Sequence, residues 1–331
     1  MRDSPFTLMN DYKVVLVLGN GFDLDLGLPT GYSDFLQSPF FYEFLNSANI
    51  LKYHRFDIQK DNILEYLQQQ KNLKNWIDIE VELKNLAIKT REDLNDYGQV
   101  IKFKNKATYE IEKSFEVLRK QLCWYLDKME YTNIKKDSYA IRLLDIINQN
   151  HAMCEILTYN YTDIHKLKSI VGDIYVPIDH VHGNINDKSI IIGFQDKVEI
   201  DKSFSFMIKS FSPFFRSHNV RNKLMEADEI IFFGHSLGET DYHYFGDFFE
   251  TQSNPEKNKK SKKIRIFTWD EASRIDILFQ LREMNDRRTD MLYDLNDMEI
   301  YRTKDDKSKI DNYLSQLSTR LLQKTIVGPS F

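Results

Sequence analysis

The feature that most constrains the fold is a short apolar run near the N-terminus that ends in two closely spaced glycines. Val14–Leu18 contains only β-branched and aliphatic residues, and Gly19 and Gly21 follow it at once. A continuous apolar strand is typical of a parallel sheet that is covered on both faces. The glycines allow a tight turn whose amides can point at a phosphate. The stretch from Val14 to Pro29 therefore predicts an α/β protein with a phosphate-cradling site for a dinucleotide.

Further strand-like runs occur along the chain, and helical patterns separate most of them. These runs are Cys154–Tyr159, Ile174–Val176, Ser189–Gly193, Glu229–Phe233 and Ile264–Trp269. The alternation predicts βαβ units in an open parallel sheet flanked by helices. After Phe267 the spacing of Leu, Ile and Met predicts helical packing.

The stretch Tyr53–Leu144 differs in texture from the rest of the chain. It is rich in Lys, Asn, Leu and Glu, has no proline, and repeats apolar residues at helical spacing. We interpret it as a helical insertion that forms a subdomain or a lid. The predicted organisation is a first part of the α/β core at 1–52, the helical insertion at 53–145, and the rest of the core with C-terminal helices at 146–331.

Charge argues against some classes of function. The net charge is −5, and 29% of the residues are charged, as in a folded globular protein. A mildly acidic chain is not favoured as a nucleic-acid binder, because phosphate contacts need clustered Lys and Arg. The basic run Lys257–Lys263 is interpreted as a solvated loop, with a phosphate or nucleic-acid contact as the alternative.

Cysteine usage and hydropathy predict a cytoplasmic protein. Cys123 and Cys154 are too far apart for a CxxC zinc pair, and two thiols suit a reducing compartment. No stretch approaches the ~18 apolar residues of a membrane span, and the N-terminus has no apolar run of signal-peptide length. We expect no membrane partner and no metal.

The first candidate site is the turn after the first strand. Gly19–Asp23 is followed shortly by Gly27–Thr30. The turn is not the Rossmann GxGxxG fingerprint, because Leu24 stands where the third glycine would be, and it is not a P-loop, because no GK[ST] follows. A plain strand-to-helix turn stays the alternative to a pyrophosphate site.

The second candidate follows the run that begins at Cys154. The amide of Asn160 can hold a carboxamide or a ribose hydroxyl, or can position a water. Alternatively, Asn160 and Asp163 cap a helix that begins near Thr162. The two roles are compatible.

The third candidate is the pair His180 and His182, which precedes Gly183. Two histidines two residues apart on a strand share one face, which suits a metal pair or a general base with a partner. A metal needs a third ligand, and no HExxH motif or cysteine is near. We therefore favour a catalytic His182, with a hydrogen-bonded structural histidine as the alternative.

The fourth candidate is the loop Gly234–Asp241, directly after a predicted buried strand. Gly234–Gly238 fits the GxSxG pattern of hydrolases. An α/β-hydrolase would place Asp and then His well after the serine, whereas the last histidine here is His243. A ribose- or phosphate-binding loop is therefore preferred to an esterase.

Together these motifs resemble the AbiH family of bacteriophage abortive-infection proteins. The matching residues run in family order across residues 14–241. They are Leu18–Leu24, Gly27–Thr30 with Tyr32 and Phe35, Trp76–Glu80, Tyr159–Thr162, His180–Gly183 and Phe233–Leu237. The string GNGFDLxxGLPT is the most specific of them.

That family in turn resembles a divergent branch of the sirtuin-like NAD-binding fold, a Rossmann-type parallel sheet. The resemblance implies that Gly19–Pro29 corresponds to the sirtuin glycine loop, Asn160 to the Asn of the TQN motif, and His182 to the catalytic histidine. Gly234–Leu237 would match the loop that holds the adenosine half. Thr162 departs from the Asp that sirtuins carry there. The CxxC zinc module is absent, which argues against a protein deacylase.

The resemblance implies an antiphage defence protein that binds NAD and hydrolyses its nicotinamide–ribose bond. The implied catalytic residues are His182, as general base, and Asn160, which positions the ribose or a water. The implied NAD-binding residues are Gly19, Asn20, Gly21, Phe22, Asp23, Leu28, Pro29, Thr30, Thr162, Gly234, His235, Ser236, Leu237 and Asp241. Phe22 and Asp23 replace small residues of the usual loop and would reshape its nicotinamide end.

Two other functions stay open at this point. The first is a non-catalytic sensor of NAD or ADP-ribose that signals by conformational or oligomeric change, which the altered Thr162 position favours. The second is a nuclease or nucleic-acid-binding toxin that uses Lys257–Lys263, against which stands the acidic balance. The sequence also leaves open a phage-derived trigger and the formation of a homo-oligomer.

Overall fold

Six parallel strands form the centre of the protein. The structure, a computed structural model, describes residues 12–41, 63, 66–67, 79–88 and 101–326. The strands are β1 (Val14–Leu18), β2 (Cys154–Thr158), β3 (Ile178–His180), β4 (Glu229–Phe233), β5 (Lys263–Thr268) and β6 (Asp297–Arg302). They form one sheet in the order β3-β2-β1-β4-β5-β6, and every neighbouring pair is parallel.

Helices cover both faces of this sheet. They are α1 (Asn20–Leu26), α2 (Tyr32–Gln37), α3 (Ile101–Asp127), α4 (Tyr139–Gln149), α5 (Lys168–Val171), α6 (Val220–Glu226), α7 (Tyr242–Gln252), α8 (Glu271–Met284), α9 (Thr289–Leu295) and α10 (Lys307–Ile326). Helices α1, α4 and α10 pack on one face, and α6, α7, α8 and α9 pack on the other. The prediction of a parallel sheet flanked by helices is therefore confirmed.

The composition of β1 explains why it lies in the middle of the sheet. Val14, Leu16 and Leu18 point to the face covered by α1, α4 and α10, whereas Val15 and Val17 point to the opposite face. All five side chains are buried. Burial of each contributes about 1.5–3 kcal/mol, so a strand that is apolar on both faces is most stable between two layers of helices.

A separate apolar cluster joins the helical region to the chain after β3. It contains Leu83 of the helical segment 79–88, Leu118 of α3, and Phe194 and Phe204. Much of the expected insertion, including Trp76, lies outside the described residues, and the division of the chain into three parts stays a prediction. Within the described ranges, no helix combines the length and apolar character that crossing a membrane requires.

Two of the predicted strands are wrong. Ile174–Val176 is not a strand, because the amides of Tyr175 and Val176 donate to the Asn148 side chain at 2.8 and 3.3 Å. The strand begins after Pro177, at Ile178. Ser189–Gly193 is also not a strand: the Ile191 amide donates to the His182 carbonyl at 2.9 Å, but the segment does not join the sheet, and Ile190 and Ile192 pack into the separate cluster.

The sequence reading also missed a strand near the C-terminus. Residues Asp297–Arg302 form β6 at the edge of the sheet, within a segment predicted to be helical. Met298 and Tyr301 are buried, while Asp297 and Glu299 are exposed. Alternating charged residues are usual on an edge strand, and they hid its strand character.

Candidate functional site

A cavity of about 610 Å³ lies at the carboxyl ends of β1, β2, β4 and β5. At this place the order of the strands reverses, since β2 and β4 flank β1 on opposite sides. Open parallel sheets bind ligands at such a switch point. The predicted site residues that line the cavity are Gly19, Asn20, Gly21, Asp23, Thr30, Asn160, Thr162, His182, Gly234, His235, Ser236 and Asp241. Four motifs that are distant in sequence therefore meet in one place.

Four other predicted residues do not line the cavity. Phe22, Leu28 and Leu237 are buried in the apolar layers on either side of the sheet. Pro29 is exposed, and its carbonyl oxygen accepts a hydrogen bond from the hydroxyl of Tyr125 at 2.6 Å. In these positions they shape the loops around the cavity.

The glycine turn after β1 packs against the turn after β4, backbone to backbone. The amides of Gly19 and Gly21 donate to the carbonyls of Phe233 and Gly234 at 3.0 and 2.9 Å, and the Phe22 amide donates to Gly19. A Cβ atom on Gly19 would lie 2.7 Å from the Gly234 oxygen. The glycines are thus required for close approach of the two turns. Because these three amides are engaged, the pyrophosphate role that we expected for them is not supported.

Asp23 is a buried carboxyl group beside Asn160. The hydroxyl of Thr162 donates to Asp23 Oδ2 at 2.8 Å, and Asn160 Nδ2 donates to the carbonyl of Gly19 at 3.0 Å. Burial raises the pKa of Asp23 to about 7, although hydrogen bonds from Thr162 and Asn160 oppose the rise. Asp23 is therefore partly protonated near neutral pH.

His182 lies beside a carboxylate in the cavity wall. Its Nε2 atom is 3.2 Å from Asp241 Oδ1, and both side chains are buried. The atoms are at ion-pair distance, yet His182 Nε2 makes no hydrogen bond with any described residue. The ring of Tyr159 contacts the imidazole edge to face, with ring centres 5.0 Å apart. The histidine is thus held in place with Nε2 beside the Asp241 carboxylate.

A buried lysine, which the sequence reading missed, completes this charged group. Lys209 Nζ lies 2.9 Å from Asp241 Oδ1 and 2.9 Å from Glu80 Oε1, and its side chain is 1% exposed. Burial alone would raise the pKa of Asp241, but Lys209 and then His182 hold it well below its usual range. Asp241 is therefore ionised. No motif surrounds Lys209, and Glu80 belongs to the family motif Trp76–Glu80, for which the sequence predicted no role in the site.

His235 supports the same carboxylate from the loop after β4. Its Nδ1 atom accepts a hydrogen bond from the Leu237 amide at 3.0 Å, which leaves the proton on Nε2. Nε2 is 3.6 Å from Asp241 Oδ2. Burial lowers the pKa of His235 to about 4, so this imidazole is neutral at pH 7.

The cavity has two distinct ends. Its inner end, defined by Asn160, His182 and Asp241, is buried, whereas its outer end contains Trp269 and Thr303, beyond β5 and β6. Trp269 is 58% exposed although it lines the cavity. The sequence reading missed the outer end because it assigned no site after Phe267.

The other sequence candidates lie elsewhere. His180 is on β3 and does not line the cavity, and Asp163 caps a short 3₁₀ turn, Ile164–Leu167, by accepting from the His165 amide. Among the described residues, no three His, Cys, Asp or Glu side chains are grouped as metal ligands.

The basic run after α7 is largely engaged in local contacts. Lys257 pairs with Glu250 at 2.9 Å, and Lys263 pairs with Asp297 at 2.7 Å. Lys262 is buried and donates to backbone carbonyls. These contacts fit the interpretation of a structural loop.

One comparison with known proteins identifies a family. A family model described as bacteriophage abortive infection AbiH matches residues 15–260, about three quarters of the chain. A search of curated proteins finds no match. The matched region includes the inner end of the cavity and all four motifs that line it, so the resemblance inferred from the sequence is confirmed at the level of the family.

Proposed function

We propose that this chain, which belongs to the AbiH family of bacteriophage abortive infection proteins, is a defence protein that hydrolyses the nicotinamide–ribose bond of NAD in this cavity. The observation that carries the proposal is His182, buried at the inner end of the cavity with its Nε2 atom 3.2 Å from Oδ1 of the ionised Asp241. An imidazole oriented by a carboxylate is suited to general-base catalysis. Loss of NAD from an infected cell would account for abortive infection.

The topology and the size of the cavity support a dinucleotide ligand. The strand order β3-β2-β1-β4-β5-β6 coincides with that of doubly wound sheets that bind dinucleotides at the switch point. A volume of about 610 Å³ lies within the range of roughly 300–1,000 Å³ for small-molecule sites. The buried inner end and the open outer end suit a ligand with two different halves.

The charge of the inner end supports cleavage of a glycosidic bond. When the bond between ribose and nicotinamide breaks, its electron pair stays on nicotinamide and positive charge develops on the ribose. Glu80 and Asp241 share a single ammonium group, that of Lys209, so the group is negative overall. Fixed negative charge stabilises a cationic transition state in a site that excludes water.

The remaining step is attack by water. In the proposed reaction, His182 accepts a proton from the water as its oxygen bonds to the ribose, and Asp241 stabilises the resulting imidazolium. Asn160, anchored on the Gly19 carbonyl, positions the ribose or the water. The products are nicotinamide, ADP-ribose and a proton, which His182 passes to solvent.

The test is nicotinamide release by the purified full-length protein. We expect wild type to release nicotinamide, and His182→Ala to lower the rate by about 10²–10⁴-fold, the usual contribution of a general base. His165→Ala is the matched control, because this histidine is exposed and does not line the cavity. Full activity of His182→Ala would show that the base is assigned wrongly.

A non-catalytic sensor of NAD or ADP-ribose is the second candidate, and one contact favours it. Where sirtuins carry an Asp, Thr162 stands here and has no carboxylate to offer to a ribose. Its hydroxyl instead donates to Asp23. Calorimetry with NAD and ADP-ribose on the same preparations separates the two functions. Binding with no nicotinamide release would favour the sensor, and absence of both would contradict both proposals.

A further inference from the structure

A line of buried charges connects the helical segment 79–88 to the proposed general base. Glu80 contacts Lys209, Lys209 contacts Asp241, and Asp241 contacts His182. The four side chains are at most 9% exposed. They come from distant parts of the chain, since Glu80 and Lys209 are 129 residues apart.

Stability alone does not explain such a group. Burying ions has a large desolvation cost, and well-packed apolar residues of the same size are often as stabilising or more so. Here two carboxylates, an ammonium and an imidazole are buried together, with the rings of Tyr159 and Tyr244 against the imidazole. A role at the adjacent cavity gives the charges a reason to be there.

Lys209 and His182 contact the same oxygen atom. Asp241 Oδ1 is 2.9 Å from Lys209 Nζ and 3.2 Å from His182 Nε2. Lys209 is also the main group that lowers the pKa of Asp241 against the effect of burial. The lysine therefore sets both the charge and the position of the oxygen that faces the histidine.

The helical segment 79–88 holds this arrangement at two points. Both carboxylate oxygens of Glu80 contact Lys209, at 2.9 and 3.0 Å. One turn further along the segment, Lys84 forms an ion pair with Glu239, which begins the 3₁₀ turn that carries Asp241. A shift of the segment would therefore move both the lysine and the loop that contact the histidine's partner.

We propose that Lys209 is a positioning residue that keeps Asp241 ionised and aligned with His182, and that Glu80 makes this alignment depend on the helical segment 79–88. The proposal rests on the proposed function for its effect on turnover, but the electrostatic link itself can be measured without NAD.

The first experiment is an NMR titration of the histidine side chains in the full-length protein. The titratable groups that interact with Asp241 are Lys209, the histidines His182, His235 and His243, and the tyrosines Tyr159, Tyr161 and Tyr244. Lys209→Met removes the ammonium that holds the pKa of Asp241 well below its usual range, so the Asp241 carboxyl is expected to take up a proton at a higher pH than in wild type. The His235 ring, whose Nε2 is 3.6 Å from Asp241 Oδ2, reports that step in its chemical shifts.

The control for that titration is Lys262→Met. Lys262 is also buried, but it donates to the carbonyls of Met225 and Ala227, away from the cavity. It should leave the His235 titration unchanged. An equal titration in Lys209→Met and wild type would overturn the proposal, whatever the protein does with NAD.

The second experiment compares turnover of NAD. Lys209→Met is expected to lose much of the roughly 10²–10⁴-fold general-base contribution in kcat, with little change in KM, and to shift the pH profile. Lys209→Arg should recover part of it, and Glu80→Gln, which keeps the shape of the side chain, should show a smaller loss. If Lys209→Met and Lys209→Arg are less stable than wild type but keep its kcat, as expected for Lys262→Met, then Lys209 has only a structural role and the proposal is wrong.

Discussion

The inner and outer ends of the cavity differ in burial, chemistry and relation to the family. His182 and Asp241 are 5% and 6% exposed, whereas Trp269 is 58% exposed. The inner end lies within residues 15–260, which match the AbiH family model, and the outer end is built from residues beyond that match. Under the proposed function, the buried charges of the inner end carry out the chemistry and the open aromatic outer end holds the ligand. Substitutions at the two ends should therefore affect different kinetic parameters.

The largest effect is expected from Asp241→Asn at the inner end. This change keeps the shape of the side chain but removes the charge that orients His182 and balances Lys209. We expect kcat for NAD to fall by about 10²–10⁴-fold, with KM changed far less. Asp247→Asn, the same change at an exposed carboxylate of α7 that does not line the cavity, is the control. A loss confined to KM would contradict the assignment of chemistry to this end.

The next largest effect concerns stability and pH at the inner end. Burial raises the pKa of Asp23 to about 7, so its contribution to stability is present at low pH and is lost as pH rises through about 7. Asp23→Asn removes this loss. The difference in free energy of unfolding between Asp23→Asn and wild type should therefore be roughly 2–4 kcal/mol more in favour of the variant at about pH 8 than at about pH 4.

Urea unfolding at the two pH values measures this difference. Asp276→Asn provides the contrast, because Asp276 is exposed at the outer end of the cavity. This variant should follow the pH dependence of wild type. If the stability of Asp23→Asn shows the same pH dependence as wild type, burial of the Asp23 carboxyl does not affect stability as stated here.

A smaller effect is expected at the outer end. The indole of Trp269 is exposed, with Lys304 Nζ over its ring at 6.0 Å from the ring centre, and a nucleobase that stacks on it would contribute about 1–3 kcal/mol. Trp269→Ala should therefore weaken NAD binding by that amount in calorimetry and leave kcat unchanged, while Trp269→Phe should keep most of the affinity. If Trp269→Ala lowers kcat without changing the affinity for NAD, the assignment of ligand binding to the outer end is wrong.

The smallest effect is expected outside the cavity, in the basic loop. Lys257 and Lys263 form partly exposed ion pairs, which usually contribute about 0–1 kcal/mol. Replacing both with Ala should change neither NAD turnover nor protection against phage. Loss of protection with normal stability would instead support the nucleic-acid alternative.

The fold could be predicted where local sequence determines it. Val14–Leu18 and Glu229–Phe233 are apolar on both faces, and both are central strands as expected. The prediction failed for Ile174–Val176, whose amides bind the side chain of Asn148, a residue distant in sequence. It also failed for the edge strand Asp297–Arg302, where a charged pattern replaces the apolar one.

The candidate site was predictable to the extent that it consists of strand ends. Asn160 and His182 come shortly after β2 and β3, and Asp241 lies in the loop after β4. A parallel sheet brings residues at the carboxyl ends of its strands together. Lys209 could not be found in this way, because it lies in a 3₁₀ turn with no motif and gains its meaning only from its distant partners. Trp269 was missed because nothing local distinguishes a cavity wall from an exposed surface.

The most direct test of the different roles of the two ends measures NAD affinity and nicotinamide release on the same preparations of wild type, His182→Ala and Trp269→Ala. The account predicts that His182→Ala binds NAD with wild-type affinity and releases almost no nicotinamide, whereas Trp269→Ala binds weakly and releases it at the wild-type kcat. Undiminished release by His182→Ala, or no binding by wild type, would contradict it.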